Sequence, residues 1–147
     1  MFDLYALPDD FPGYAQAQQC QDPYDRVKHL ENAFAGDINC RQFIPYIQLY
    51  EFEALILADP AKLSTEFLEH DVAIERLVAF CQSRKPELIN DGRKTAPSKR
   101  IIAEIPEFEG QKSSVGPEIA RKIGLKLLRE KCPHFGQWVT KLETLAQ

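Results

Sequence analysis

No stretch of this chain stays apolar for long enough to cross a bilayer. Its first residues, Met1-Phe2-Asp3-Leu4-Tyr5, carry no basic segment of the kind that opens a signal peptide. These two absences lead to the expectation of a cytoplasmic protein. The four cysteines, at positions 20, 40, 81 and 132, include no closely spaced pair that would let two thiolates grip one zinc ion. In a reducing compartment they read as small apolar residues and free thiols, with disulfides the weaker reading. Several catalytic signatures are missing as well: there is no glycine-flanked serine, no Cys/His pair and no HExxH motif. The Lys94-Thr95 pair lacks the spaced glycines of a Walker loop. Internal repeats and low-complexity tracts are also absent.

What is present is ordinary globular material. The chain has 147 residues, of which 44% are apolar and 27% charged, enough for one domain with its own core. The net charge of −4 conceals an asymmetry. Residues 1–80 hold 14 acids against 5 bases, and residues 81–147 hold 8 acids against 13 bases, for local charges of −9 and +5. One reading is two complementary parts of a single domain folding onto each other, an acidic α/β part over 1–85 and a basic helical part over 86–147. The other is a metal-binding part beside a phosphate-binding part.

The local patterns predict a helix-rich α/β fold with a small parallel sheet. Met1 to Tyr5 reads as the end of a strand, stopped by the loop Leu7-Pro8-Asp9-Asp10-Phe11-Pro12-Gly13. Asp22-Pro23 reads as an N-cap followed by the first residue of a helix. Tyr24, Val27, Leu30, Glu31 and Phe34 follow at helical spacing with only Glu31 polar, and Gly36 is the expected end. A second strand is predicted over Phe43 to Leu49, with Pro45 pulling it toward an edge. Glu51 to Leu55 fits a short helix better than a continued strand, with Phe52, Leu55 and Ile56 inward. Asp59-Pro60 repeats the cap-plus-proline start, and Ile74, Leu77, Val78 and Cys81 mark another amphipathic helix. Ser98 is the expected cap of a helix burying Ile101, Ile102 and Ile105. Gly116-Pro117 is the expected start of the next, and a last helix from about His134 would bury Phe135, Trp138, Leu142 and Leu145.

Two constellations carry possible chemistry. Asp3, Glu51, Glu53 and Asp59 are oxygen donors suited to Mg²⁺ or Mn²⁺. Acids that follow two neighbouring parallel strands converge on the carboxyl edge where α/β sheets bind ligands. Asp3 and Glu51 meet that condition if the two strands pair in parallel through a crossover helix. Asp59 reads more simply as a helix cap. The basic segment Arg93-Lys94-Thr95-Ala96-Pro97-Ser98-Lys99-Arg100 surrounds a helix N-terminus, which favours an anion; its plainer reading is a solvated loop. Asn90 and Asp91 stand just upstream. His134, in Cys132-Pro133-His134-Phe135, is the best placed of three histidines for proton transfer, with a structural role the alternative. His29 and His70 read as surface residues.

Several stretches together resemble a prokaryotic family known as domain of unknown function 4276. They are Met1 to Pro8, Asp10-Phe11-Pro12-Gly13, and Phe43-Ile44-Pro45-Tyr46-Ile47-Gln48-Leu49-Tyr50-Glu51-Phe52-Glu53-Ala54-Leu55. Downstream are Pro86-Glu87-Leu88-Ile89-Asn90-Asp91-Gly92, Thr95-Ala96-Pro97-Ser98-Lys99-Arg100 and Cys132-Pro133-His134-Phe135. The resemblance spans the whole chain in order. It departs at Tyr50, where members usually carry His.

The resemblance implies an incomplete TOPRIM-like core with a helical C-terminal part. Members usually begin earlier, with a strand and helix bearing a Val-Glu-Gly-x-Thr/Ser-Glu motif, so the chain is expected to be truncated. Asp3, Glu51 and Glu53 would then be both catalytic residues and ligands of Mg²⁺ or Mn²⁺. Arg93, Lys94, Ser98, Lys99 and Arg100 would hold phosphate of a nucleic-acid substrate. The alternative that the resemblance allows is a non-catalytic subunit docking on an ATPase of a defence-type complex. An unpaired strand edge also suggests homo-oligomerisation.

Overall fold

The computed structural model describes residues 2–90 and 95–145. The predicted candidates Asp91, Arg93 and Lys94 lie outside the described residues. A short strand β1 (Phe2–Asp3) leads through the 3-10 turn Leu4–Ala6 to a one-turn helix α1 (Tyr14–Ala17) and the long helix α2 (Pro23–Ile38). Strand β2 (Ile47–Gln48) follows, then α3 (Glu53–Ile56), the 3-10 segment Pro60–Thr65 and α4 (Asp71–Cys81). The remainder is helical: α5 (Pro97–Glu104), α6 (Lys112–Ile123), α7 (Leu125–Lys131) and α8 (Pro133–Thr144). The fold is therefore α/β and strongly helical, with two parallel strands joined through α2.

Helix α2 begins as its sequence dictates. The Asp22 carboxylate accepts from the Tyr24 and Asp25 N–H groups at 2.7 and 3.2 Å, and Pro23 occupies the first turn, where no N–H is needed. It does not end at Gly36. The helix runs to Ile38 and is closed by Asn39 in the left-handed conformation, φ 49°. Asn tolerates that region because its short polar side chain bonds locally.

Strand β2 is much shorter than the predicted Phe43–Leu49. Phe2 pairs with Ile47 and Asp3 with Gln48, and the Phe2 N–H donates to the Tyr46 carbonyl at 3.2 Å. In a parallel ladder the N–H and C=O of the alternate residue then point to the opposite side. Side chains take both of those groups on Ile47. Its N–H donates to Glu31 Oε1 at 2.8 Å, and its carbonyl lies 3.1 Å from His134 Nε2. Pro45 has no N–H to offer upstream, so the ladder stops there as well. Glu31 and His134 thus close the far edge of β2 at this point, where a third strand would otherwise pair.

Two apolar clusters divide the interior. Leu7, Ala17, Val27, Leu30, Ile47 and Leu49 pack around the sheet and α2. A larger cluster gathers Leu55, Ile56, Leu63, Ile74, Leu77, Ile101, Ile105, Phe108, Ile119 and Leu128 from the later helices. The predicted inward set of α3 holds: Leu55 and Ile56 are buried and Phe52 packs against the same cluster.

Four predicted helix details need correction. Ser98 does not cap α5; Ala96 is the N-cap and Ser98 lies inside the first turn. Asp59 makes no side-chain cap bond, and the segment after it is 3-10. Helix α6 starts at Lys112 and carries Pro117 inside it, so Gly116-Pro117 is not its beginning. Gly116 instead lets α6 lie close on α3, since a Cβ there would come 3.3 Å from Phe52 Cε1. In α8, Leu142 and Leu145 face solvent, the latter 61% exposed, while His134, Gly136 and Val139 turn inward.

The acidic and basic parts meet at the surface through Arg76–Glu104 at 2.6 Å, His70–Glu107 at 3.3 Å and Lys122–Glu66. All four cysteines are free, as expected. Cys81 and Cys132 are buried, and burial pushes the Cys81 thiol up to about 11 and that of Cys132 higher still. A thiol reagent at pH 8 is expected to label exposed Cys40 rapidly and to reach Cys81 and Cys132 only after unfolding. Equal labelling rates for all four in the native protein would contradict this packing.

Candidate functional site

Two helices of the basic part begin with the same device. Each has proline at its first position, preceded by a residue whose side chain cannot cap: Ala96 before α5 and Cys132 before α8. In both, a distant glutamate supplies the missing acceptor. Glu51 Oε2 accepts from the Ser98 N–H at 3.0 Å. Glu87 accepts from His134 N–H at 3.1 Å and Phe135 N–H at 2.9 Å. Carboxylates at helix N-termini satisfy orphan donors and sit in the favourable end of the dipole. Glu87 is 0% exposed, and burial pushes its carboxyl above the ordinary range, opposed by those two N–H bonds.

Glu51 also belongs to an acidic group at the carboxyl edge of the sheet. Asp3 ends β1 near the Phe52 N–H ahead of α3, which favours its charged form. Its carboxyl is raised by burial and then by the charge of Glu51. Glu53, in the first turn of α3, is raised by burial, with Glu51 and more weakly Asp3 adding to it, and Lys112 opposing. The three acids named from the sequence are therefore electrostatically coupled, with Glu51 acting on both others. Among the described residues, no three His, Cys, Asp or Glu side chains are grouped as a ready metal site. Asp59 is not part of the group; it lies 3.9 Å from Lys62.

The turn that delivers Glu51 is unusual. Tyr50 has φ +66°, a left-handed conformation that costs a bulky residue about 1 kcal/mol or more. It reverses the chain after β2, so that the Glu51 N–H bonds the Leu49 carbonyl at 3.0 Å. The Tyr50 ring rests on Tyr5, with centroids 5.5 Å apart. The Tyr5 hydroxyl is raised chiefly by burial, with Asn90 nearby opposing. Tyr5, Glu51, Ala96 and Lys99 line a cavity of about 240 Å³.

The basic candidates separate. Lys99 faces this cavity and lies 3.6 Å from Glu109. Arg100 places its guanidinium 4.3 Å from the centre of the Phe80 ring, in a second cavity that Lys99 also borders. Ser98 is buried, and its N–H is engaged by Glu51. An anion approaching the start of α5 therefore meets a carboxylate already in place.

His134 lies elsewhere. Its Nε2 is 3.0 Å from Glu31 Oε1 and 3.1 Å from the Ile47 carbonyl. Both neighbours are acceptors, so Nε2 carries the proton and donates. Tyr46 stacks on His134 at 5.1 Å and on Trp138 at 4.6 Å. His134 thus has a structural role here, tying α8 to α2 and β2. Replacing Glu31 by Gln is expected to cost about 1–2 kcal/mol, because the weaker neutral acceptor must serve two donors in a dry site. Thermal unfolding of the variant measures this; an unchanged midpoint would contradict the role.

Sequence reasoning missed Glu87 and Tyr5. Glu87 gives no local signal, since its partners are 47 positions away or more. Glu31 did give one: it was the single polar residue in the apolar stripe of α2.

A chain with acids at the carboxyl edge of a small parallel sheet and a helical remainder is the class that these features define. The model of the family described as Domain of unknown function (DUF4276) matches residues 1–143, and the chain belongs to that family. No curated protein and no solved structure matches it. No helix among the described residues is long and apolar enough to cross a membrane.

Proposed function

We propose that the carboxyl edge of the sheet is a divalent-metal site for processing nucleic-acid phosphodiesters, of the TOPRIM-like kind that the family resemblance implies. The single observation carrying this is the electrostatic coupling of Asp3 and Glu53 through Glu51, two partly buried acids held above their ordinary range. Such a cluster gains from a cation. Mg²⁺ or Mn²⁺ needs only one or two carboxylates when waters and substrate phosphate complete its shell, which fits a group lacking three convergent ligands. Asp3 and Glu53 are the proposed ligands. Glu51, engaged by Ser98, keeps lone pairs for the ion or for one of its waters. Lys99, at the rim of the adjoining cavity, is the proposed phosphate contact. The metal would supply Lewis acidity at the phosphoryl group and an activated water. Incubation of single-stranded and duplex DNA and RNA with the protein and Mn²⁺ tests this. Cleavage that stops with chelator and falls about a hundredfold in Asp3→Asn supports it. A protein inert on every substrate that also binds no metal contradicts it.

A second reading has its own observation. Phe2, Phe11 and Phe43 each contact the Phe34 ring on α2, with centroids 5.0–5.9 Å apart, and Phe2 is 50% exposed. An aromatic group at a sheet edge suits docking on an ATPase subunit or a second copy. Phe2→Asp is expected to abolish such association in light scattering while leaving Mn²⁺ binding intact.

A further inference from the structure

The helices α2 and α8 face one another across a cleft of about 440 Å³ that the acidic edge does not involve. Its α2 wall is a helical stripe that includes Lys28, Glu31 and Asn32; its α8 wall is a second stripe that includes His134, Gln137, Trp138 and Lys141. At the base the two helices are joined through the Glu31–His134 bond at 3.0 Å. Tyr46, stacked on both His134 and Trp138, fixes the indole plane. The cleft is therefore braced rather than collapsed, and its volume lies in the range of small-molecule sites.

The lining has chemistry left over. The Trp138 Nε1 donor is buried and has no acceptor among the described residues. That donor is enclosed by the protein, so a ligand would meet the indole through the part of Trp138 that lines the cleft. The amides of Asn32 and Gln137, on opposite walls, make no side-chain hydrogen bond with a described residue. Each offers both donors and an acceptor, the combination that reads the edge of a flat ring with mixed polarity. Lys28 and Lys141, also on opposite walls, form no ion pair with a described residue. They suit one acidic group; Asp25 at the same rim disfavours a polyphosphate.

We propose that this cleft binds a planar heteroaromatic ring carrying a single phosphate, a ligand of the nucleoside monophosphate class. The site is independent of the metal-dependent reading and stands or falls without it. Trp138 is the sole tryptophan, so its fluorescence reports on the site directly. The four common ribonucleoside monophosphates, their nucleosides and ribose 5-phosphate are titrated into the full chain. At least one monophosphate is expected to change the emission saturably and to bind about tenfold more tightly than its nucleoside and than ribose 5-phosphate. The double variant Lys28→Ala/Lys141→Ala, altered only at exposed positions, is expected to lose about tenfold in affinity with its circular dichroism unchanged. In the wild type, the side-chain amide signals of Asn32 and Gln137 are expected to shift on binding. No saturable change up to about 1 mM overturns the proposal. So does binding that ribose 5-phosphate matches, or binding that the double variant retains in full.

Discussion

Replacing Glu87 by Ala is expected to lower stability by about 2–3 kcal/mol, or about 2–4 °C in melting temperature for each kcal/mol in a domain of this size. Two effects compete. Removing a fully buried carboxyl relieves the cost of keeping a charge out of water, which is why its pKa is raised. Against this, the His134 and Phe135 N–H groups lose the acceptor that Glu87 supplies at a dry helix start, at about 1–3 kcal/mol each. The second effect wins, because neither Cys132 nor Pro133 can replace the acceptor. Glu87→Gln retains one carbonyl oxygen and is expected to lose about half as much. A melting temperature that rises in Glu87→Ala would mean that desolvation dominates instead.

Asp3→Asn is expected to act in opposite directions on stability and on function. Without metal, it removes a partly buried charge facing Glu51, and a small rise in stability is expected, reduced by solvent screening at this half-exposed position. With Mn²⁺, the proposed activity is expected to fall about a hundredfold. Sites that trade stability for function show this pairing, whereas a residue with a purely structural role loses stability when changed. The same reasoning fixes a pH dependence. Asp3, Glu53 and Glu87 are raised above ordinary values of 3.8, 4.5 and 4.5. A raised carboxyl binds its proton more tightly in the folded state, so its stabilising contribution is complete below the unfolded value. That contribution is lost as pH rises through the folded value. Metal-free protein is therefore expected to lose stability from mildly acidic pH toward neutrality. Asp3→Asn and Glu53→Gln should each flatten that slope, as followed by thermal melting across pH.

Local chemistry was legible in the sequence and long-range closure was not. Asp22-Pro23 announced α2 because the cap and its donors are adjacent in the chain. The α3 assignment followed from helix propensity and the inward set at Phe52, Leu55 and Ile56. The parallel relation of the two strands followed from the helix between them. The strand length could not be read, because β2 pairs only with the short β1, and Glu31 and His134, from two distant helices, take the Ile47 N–H and C=O on its other edge. The same limit explains the error at Ser98. A serine before an apolar run is a normal cap signal, yet here Glu51 reaches the helix start from 47 positions away. For the acidic site, the residue types and the carboxyl-edge placement were legible. That Glu51 serves at once as a helix cap and as the charge acting on Asp3 and Glu53 required the fold.

Calorimetric titration of Mn²⁺ into the protein at mildly acidic pH, in buffers of different ionisation enthalpy, bears most directly on the acidic edge. A cation that displaces protons from the raised Asp3 and Glu53 carboxyls makes the observed heat depend on the buffer. The predicted result is one ion bound per chain with proton release, both lost in the Asp3→Asn/Glu53→Gln double variant. Absence of binding, or equal binding by the double variant, would contradict the metal-site account.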